Sequence, residues 1–321
     1  MRRRTQQGVA LLTALLVVAL VAVAATSMAT RQQLDIRRTA TLLHSNQAWS
    51  YVLGAESWAS VVLRRDLEEA AVDTLKEDWS TQLPASLVEG GSVQGRIIDM
   101  QGRFNLNNLV REGKLDPEAM AQYRRLLRAL GMEENLADAL ADWIDSDVDV
   151  RFPDGVEDDA YLLLTPPYRA ANRRLHSVSE LLLVKGYDAE AVDKLRPVVC
   201  ALPQASPLNV NTASAVVLGT LADDLSESDG EALVEGRGEE GYQSKDDFLQ
   251  QSALAGKEIN PGWIDVRTQW FRFLGEANVG QGRVRLASLL QRLDKEIRVV
   301  RRERNFTELL VEPDDAEEAE P

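Results

Sequence analysis

Between Asp142 and Tyr161 the chain carries its densest set of metal-competent groups, Asp142-Trp-Ile-Asp145-Ser-Asp147-Val-Asp149 and then Asp154-Gly155-Val-Glu157-Asp158-Asp159-Ala-Tyr161. Seven of the fifteen residues from Asp145 to Asp159 are acidic. Carboxylates crowded in this way repel one another. A hard divalent cation such as Ca²⁺, which takes about six to eight oxygen ligands, would let the segment fold. The segment is not an EF-hand: counted from Asp145, the sixth position is Val150 where glycine is required, and the twelfth is Val156 in place of glutamate. A plain solvated loop is the alternative, because charge runs usually face water. Trp143, Phe152, Tyr161 and Tyr168, interleaved with the acids, favour a folded loop.

Other chemistries find less support. His44 and His176 are far apart, and neither has a cysteine or second histidine at zinc-ligand spacing. The single cysteine, Cys200, excludes an intrachain disulfide and, lying in the apolar run 197–202, is expected to be buried. Gly90-Gly91-Ser92-Val93-Gln94-Gly95 has glutamine where a hydrolase elbow needs its second glycine, and no phosphate-cradling glycine loop is present. A metal-dependent hydrolase that combines the acidic loop with His176 remains one alternative function. A second comes from Pro207-Leu-Asn209-Val-Asn211-Thr-Ala213, Glu235-Gly-Arg237 and Tyr242-Gln-Ser-Lys-Asp-Asp-Phe248, which look like a helix-hairpin-helix repeat of DNA-binding proteins. The phosphate-binding hairpin would fall at Leu221-Ala-Asp223-Asp224-Leu-Ser226, which supplies acids. Lys plus Arg number 36 against 51 Asp plus Glu, a net charge of −15, so a partner held through phosphates is not expected.

The elements that must position these groups begin with a membrane-length helix. Arg2, Arg3 and Arg4 precede Gly8, and from Val9 to Ala25 the chain is apolar except for Thr13. Extended to Met28 the run reaches the ~20 residues that cross ~30 Å of hydrocarbon. The basic flank keeps the N-terminus cytoplasmic and sends everything after Ala29 outward. A cleaved secretory signal ending at Ser27-Met28-Ala29 is the rival reading. Helical spacing continues from Arg31 to about Thr74 as an amphipathic stalk, Pro84 and Gly90-Gly91 break it, and Ser92–Met100 reads as a strand. Helices are predicted in 116–144 with Asp116 as N-cap and Gly131 between two stretches, then at 179–183, 188–195, 211–218, 229–235 and 245–250. Strands are predicted at 263–266, 270–274, 282–286 and 296–300. Residues 312–321, with six acids and two prolines, form a solvated tail.

Taken together, Gly8-Val9-Ala-Leu-Leu after the basic leader, Asp99-Met-Gln-Gly-Arg-Phe-Asn105-Leu-Asn107-Asn108-Leu109, Ala141–Asp145, Glu157–Tyr161, Pro166-Pro-Tyr-Arg-Ala-Ala-Asn172 and Leu208–Ala213 resemble the general secretion pathway protein K family. These are minor pseudopilins of the type II secretion system, and the resemblance covers nearly the whole chain. It implies an α+β fold: a long N-terminal transmembrane helix, a pseudopilin-type antiparallel sheet, and a large inserted α-helical domain of helix-hairpin-helix or SAM-like type. The corresponding divisions are 1–8 leader, 9–29 transmembrane helix, 30–110 stalk and first strands, 111–260 inserted domain, 261–311 C-terminal strands and 312–321 tail.

The resemblance further implies a structural protein without enzymatic activity, whose bulk lies in the periplasm. A prepilin peptidase cuts between Gly8 and Val9, and the new N-terminus is methylated. Calcium binds near the acidic loop, a site carried here onto Asp145, Asp147, Asp149, Glu157, Asp158 and Asp159. Partners are the minor pseudopilins of the I and J classes, with the H class, the major pseudopilin and secreted cargo. Together they make the tip of the periplasmic pseudopilus, help start its assembly and support export of folded proteins. Most pilin-like subunits have glutamate as the fifth mature residue, where it pairs with a neighbour's N-terminal ammonium; here that residue is Thr13, which fits a topmost subunit.

Overall fold

The fold follows from one amphipathic helix laid on one sheet, with a second core inserted into the sheet's connectivity. In a computed structural model, residues 5–294, 296–304 and 306 are described. Arg2–Arg4 and the tail 312–321 lie outside them.

Helix α1 runs from Thr5 to Glu69, 65 residues, and at 1.5 Å per residue is about 100 Å long. Its first part is exposed among the described residues: Val9, Leu12, Leu16, Leu20 and Val23 are all more than half exposed. Within Val9–Glu69 it contains a stretch long and apolar enough to cross a membrane, with a mean hydropathy of 2.7. The later part changes character because apolar residues recur at helical spacing. Ala48, Val52, Ala55, Ala59 and Leu63 are buried against Val93, Ile97, Phe271, Phe273, Ala277, Leu286 and Leu290 of the sheet. The helix ends at Glu69, so residues 70–74, expected to continue the stalk, form a bend instead.

The sheet has five strands: β1 (Leu83–Val88), β2 (Gly91–Asp99), β3 (Trp270–Val279), β4 (Gly282–Arg292) and β5 (Ile297–Arg304). They pair antiparallel in chain order. Strand β1 was not expected; the Pro84 break conceals it, because proline is tolerated on an edge strand where its missing N–H breaks no ladder. Gly95 and Gly275 face each other in the β2–β3 register, and a Cβ on either would lie within 2.8 Å of the Phe273 ring. Paired glycines therefore make the room in which Phe273 packs under α1.

Between β2 and β3 the chain leaves the sheet and builds a second core from helices α2 (Pro117–Ala129), α3 (Leu136–Ile144), α4 (Asp158–Tyr161), α5 (Ala189–Leu195), α6 (Ala215–Leu218), α7 (Glu227–Gly236) and α8 (Lys245–Leu249). As read, Asp116 caps α2, accepting from the N–H groups of Glu118 and Ala119 at 3.1 and 3.0 Å, and Gly131 ends it at φ +67°. The expected helix 211–218 contracts to α6, 179–183 is a 3-10 turn, and the strand expected at 263–266 shortens to Ile264–Asp265. That pair joins Leu208–Asn209 in parallel and not the main sheet, which resumes at Trp270.

The two cores are joined by buried polar groups. Asp99, at the end of β2, accepts from Thr212 Oγ1 at 2.5 Å, Thr268 Oγ1 at 2.6 Å, Asn209 Nδ2 at 3.0 Å and the Gln101 N–H at 2.6 Å. Asn209 Nδ2 also reaches the carbonyl of Asp73 at 3.1 Å. Arg292, 5% exposed at the end of β4, donates to Asp66 Oδ2 at 2.7 Å, to Asp73 and to the carbonyl of Thr268. Burial above all, with Glu77 and Asp73 adding repulsion, pushes the Asp66 carboxyl up to about 7.

Replacing Arg292 with methionine strands two buried carboxylates, and the expected cost is about 3–5 kcal/mol, measurable as a lower thermal midpoint of the solubilised protein. Because Asp66 is raised in the folded state, its ionisation opposes folding, and stability falls as pH rises from about 4 to about 7. Part of the loss in Arg292→Met is therefore regained on acidification, and an equal deficit at pH 5 and pH 7.5 would contradict this assignment.

Candidate functional site

The acidic segment folds because α3 and α4 hold its two ends against an aromatic wall. Trp143 of α3, Tyr161 of α4 and Tyr168 meet with ring centroids 5.1, 5.4 and 6.2 Å apart. Tyr168 Oη donates to the carbonyl of Leu183 at 2.9 Å, and Tyr161 Oη accepts from the N–H of Lys185 at 3.3 Å. Phe152 takes no part: it is 96% exposed. Gly155 closes the turn, its N–H donating to the carbonyl of Arg151 at 2.7 Å. A Cβ there would lie 2.2 Å from Asp142 Oδ2, so the turn admits only glycine.

Of the six carboxylates expected to bind metal, three converge. Oxygens of Asp145, Asp147 and Glu157 lie within 4.8 Å of one another. Asp145 is the C-cap of α3, and Glu157 is the N-cap of α4, so the helix ends aim both inward. The other three stand apart. Asp149 and Asp159 are exposed, and Asp158 accepts from the N–H of Ala170 at 3.0 Å, with Arg169 Nη1 3.4 Å from its other oxygen.

Two oxygen donors were not expected. Asp142, fully buried, sits one helical turn before Asp145 and was part of the acidic run. Asn172 adopts φ +44° and donates from Nδ2 to the carbonyl of Asp147 at 2.9 Å. Its position in the Pro166–Asn172 motif carried no hint of this, because the contact spans 25 residues.

Two features of the cluster bear on a cation. Glu157 Oε1 and Oε2, Asp145 Oδ1, Asp142 Oδ1 and Asn172 Oδ1 are buried with no hydrogen-bond donor, which is costly for charged oxygens. Arg151 supplies one positive charge: Nη2 donates to Asp145 Oδ2 at 2.6 Å, while Nε lies 3.0 Å from Asp142 Oδ1 without hydrogen-bond alignment. One guanidinium does not neutralise four carboxylates. Burial, followed by the charges of Asp142 and Asp145, pushes the Glu157 carboxyl up to about 7. An all-oxygen donor set with orphaned, buried oxygens fits Ca²⁺. Among the described residues, the converging group contains no histidine, and His176 is instead held through its backbone, its N–H donating to Glu180 Oε1 at 2.6 Å.

The asparagine motifs are structural. Asn107 Nδ2 donates to the carbonyls of Leu175 and Leu202 at 2.9 and 2.8 Å, and Asn211 clasps both backbone groups of Tyr242 at 3.0 and 2.8 Å. Arg237, half-buried, is lowered to about 10 by burial and donates to the carbonyls of Val210 and Ala213. Asp223 pairs with Arg125 at 2.7 Å. These groups hold the block together and offer no cradle for phosphate.

At the membrane end, Gly8, Val9 and Thr13 all lie within α1. Thr13 Oγ1 donates back to the carbonyl of Ala10 at 2.9 Å.

Two family models described as protein K of the type II secretion system match residues 102–204 and 208–267. A type II secretion system protein K of Pseudomonas aeruginosa is 45% identical over 313 residues, 94% of this chain and 93% of that protein. One from Klebsiella pneumoniae is 35% identical over 315 residues, 92% and 96% of the two chains. Among solved structures, a chain from the GspK–GspI–GspJ complex of enterotoxigenic Escherichia coli superposes with a TM-score of 0.77 at 28% identity, covering 84% of this chain and all of that one. An apolar helix that continues onto an antiparallel sheet, a helical block between β2 and β3, and relatives matched along nearly their whole length lead to one assignment: the chain belongs to the protein K family of the type II secretion system, the minor pseudopilins.

Proposed function

We propose that this chain forms the tip of the periplasmic pseudopilus together with minor pseudopilins of the I and J classes, as a structural subunit with no catalytic role. The observation that carries this reading is the position of the helical block. Residues 100–269 enter and leave at neighbouring strand ends of the sheet that rests on α1, which enlarges the head of a subunit whose stalk is otherwise free to pack. A head of that size obstructs any subunit stacked above it and is accommodated at an end. Thr13 points the same way: its hydroxyl is satisfied within its own helix and brings no carboxylate to a neighbour's N-terminal ammonium.

In this reading the prepilin peptidase cuts after Gly8, the segment Val9–Met28 remains in the inner membrane, and everything beyond it is periplasmic. Asp145, Asp147 and Glu157, with Asp142 and the Asn172 carbonyl oxygen nearby, hold calcium. The ion supplies positive charge that Arg151 alone does not, and so keeps the loop between α3 and α4 in one conformation. Asp149, Asp158 and Asp159 contribute only to the acidic surroundings.

Three measurements test these statements. Intact mass of the protein from membranes is expected to show Val9 as its first residue, methylated, and retention of Met1 or a start beyond Ala29 removes the processing step. Photo-crosslinkers along α1 are expected to capture I- and J-class subunits, with immunogold label confined to filament ends. Label along the shaft would refute the tip assignment. For the metal, a chelator lowers the melting temperature, added Ca²⁺ restores it, and Glu157→Gln weakens the response at least tenfold in Ca²⁺ concentration. Without metal, stability falls as pH rises from about 4.5 to 7, since Glu157 is raised in the folded state. Saturating Ca²⁺ is expected to abolish that slope, and a melting curve indifferent to Ca²⁺ would leave the loop without a cation.

A further inference from the structure

Within the inserted block, among the described residues, the large apolar side chains left exposed fall in a single stretch of chain. Val148, Val150 and Phe152 come from the loop after α3, and Leu162, Leu163 and Leu164 follow α4. Phe152 and Leu163 are 96% and 86% exposed. Leu182 and Leu183, each about half exposed, adjoin them through the stacked rings of Tyr161 and Tyr168: Tyr161 precedes Leu162, and Tyr168 Oη donates to the carbonyl of Leu183. A single exposed leucine needs no explanation, but such a concentration in one place marks a contact surface. The segments are also fixed. The N–H groups of Leu162 and Leu164 donate to the carbonyls of Asp158 and Tyr161 at 2.9 and 3.2 Å, and Asn172 Nδ2 holds the carbonyl of Asp147. A surface formed before its partner arrives costs less to order on binding.

The charge around these side chains has one sign. From 147 to 164 the exposed charged residues are Asp147, Asp149, Asp154 and Asp159, and the one basic residue, Arg151, is turned to Asp142 and Asp145. Lipid phosphate is repelled by such a rim. A second copy of the chain, meeting the same face about a two-fold axis, would set these carboxylates against each other. The bilayer that holds α1 is out of reach as well: Met28 and Asp66 are about 57 Å apart along the helix, and the block is fastened beyond Asp66, where Asn209 donates to the carbonyl of Asp73. A protein surface with apolar side chains among lysines or arginines complements both the apolar patch and its acidic rim.

We infer that this face docks a protein segment in which apolar side chains are flanked by lysine or arginine. Phe152 and Leu163 enter the partner's apolar part, and Asp149, Asp154 and Asp159 set its register by pairing with the flanking cations. Buried anchors carry most of the binding energy of an interface, while rim charges govern encounter and orientation. The docking face belongs to the block's own surface and is independent of where in the filament the subunit sits.

The test uses the full chain in phosphatidylcholine nanodiscs, which keep detergent off the block, with empty nanodiscs as the blank. Three fluorescent peptides are compared by anisotropy: one of leucine and lysine, one with glutamate in place of lysine, and one with serine in place of leucine. The leucine–lysine peptide is expected to bind at least about tenfold more tightly than the other two, and hydrogen exchange on its complex is expected to show protection at 147–164. Phe152→Ser with Leu163→Ser is expected to weaken binding about tenfold or more without moving the thermal midpoint, because both side chains face water in the free protein. Asp149→Asn, Asp154→Asn and Asp159→Asn together are expected to weaken it too and to flatten its dependence on salt. Protection that falls elsewhere, or an affinity that the Phe152 and Leu163 replacements leave unchanged, overturns the proposal. So does binding to phosphatidylglycerol vesicles, or a concentration-dependent dimer, that those replacements abolish, because the occupant would then be a lipid surface or a second copy.

Discussion

A buried carboxylate, Asp99, is the constraint on which the rest of the architecture rests. Ionised carboxylates are expelled from apolar surroundings unless donors meet them, and burial raises this one. Four donors meet it, and they come from separate stretches of chain: Gln101, Asn209, Thr212 and Thr268. Satisfying one group thus fixes the exit of the chain from β2, the loop that packs on it, and the return into β3. Arg292 extends the same network to the end of α1 through Asp66 and Asp73. Beside a small apolar cluster of Met100, Cys200, Leu202, Trp270 and Leu289, directional bonds hold the two cores in one orientation, and such bonds slide less readily than hydrophobic surface.

That orientation is what a subunit at the end of a filament requires. The stalk transmits position from the membrane, the sheet rests on the stalk through small residues such as Ala48, Ala55 and Ala59, and the block is set on the sheet by the Asp99 and Arg292 network. The carboxylate cluster belongs to the block alone. Its cation would stabilise a loop and would not move one core against the other, because Asp142, Asp145 and Glu157 lie at the ends of two helices that pack within a single hydrophobic cluster.

Several motifs mean something other than what they resemble. Leu208–Ala213 carries the look of a nucleic-acid hairpin, yet Asn209 and Asn211 spend their side chains on Asp99 and on the backbone of Tyr242. Asparagine serves both uses for the same reason: its amide mimics a backbone pair and closes tight turns. Strand β1 escaped notice because Pro84 and the following glycines read as a break, and only pairing with β2 reveals an edge strand. The short strand Ile264–Asp265 has the composition of a sheet strand, but its partner is Leu208–Asn209, a choice that composition does not encode.

The apolar run from Val9, the basic residues before Gly8, the amphipathic spacing of 48–63, the Asp116 and Gly131 helix ends and the existence of an acidic loop are all local patterns. Local patterns need only the chain's own period and chemistry to be read, and the sequence alone therefore determined the membrane-length helix, the buried face of the stalk and the ends of α2. Which carboxylates face one another is a different kind of fact. Asp145, Asp147 and Glu157 meet, Asp149 and Asp159 face solvent, and Asn172 joins from a distant loop. Neighbours in sequence were separated and distant residues brought together only when α3, α4 and the Trp143–Tyr161–Tyr168 wall set the direction of each side chain, because direction is a property of packing and not of spacing.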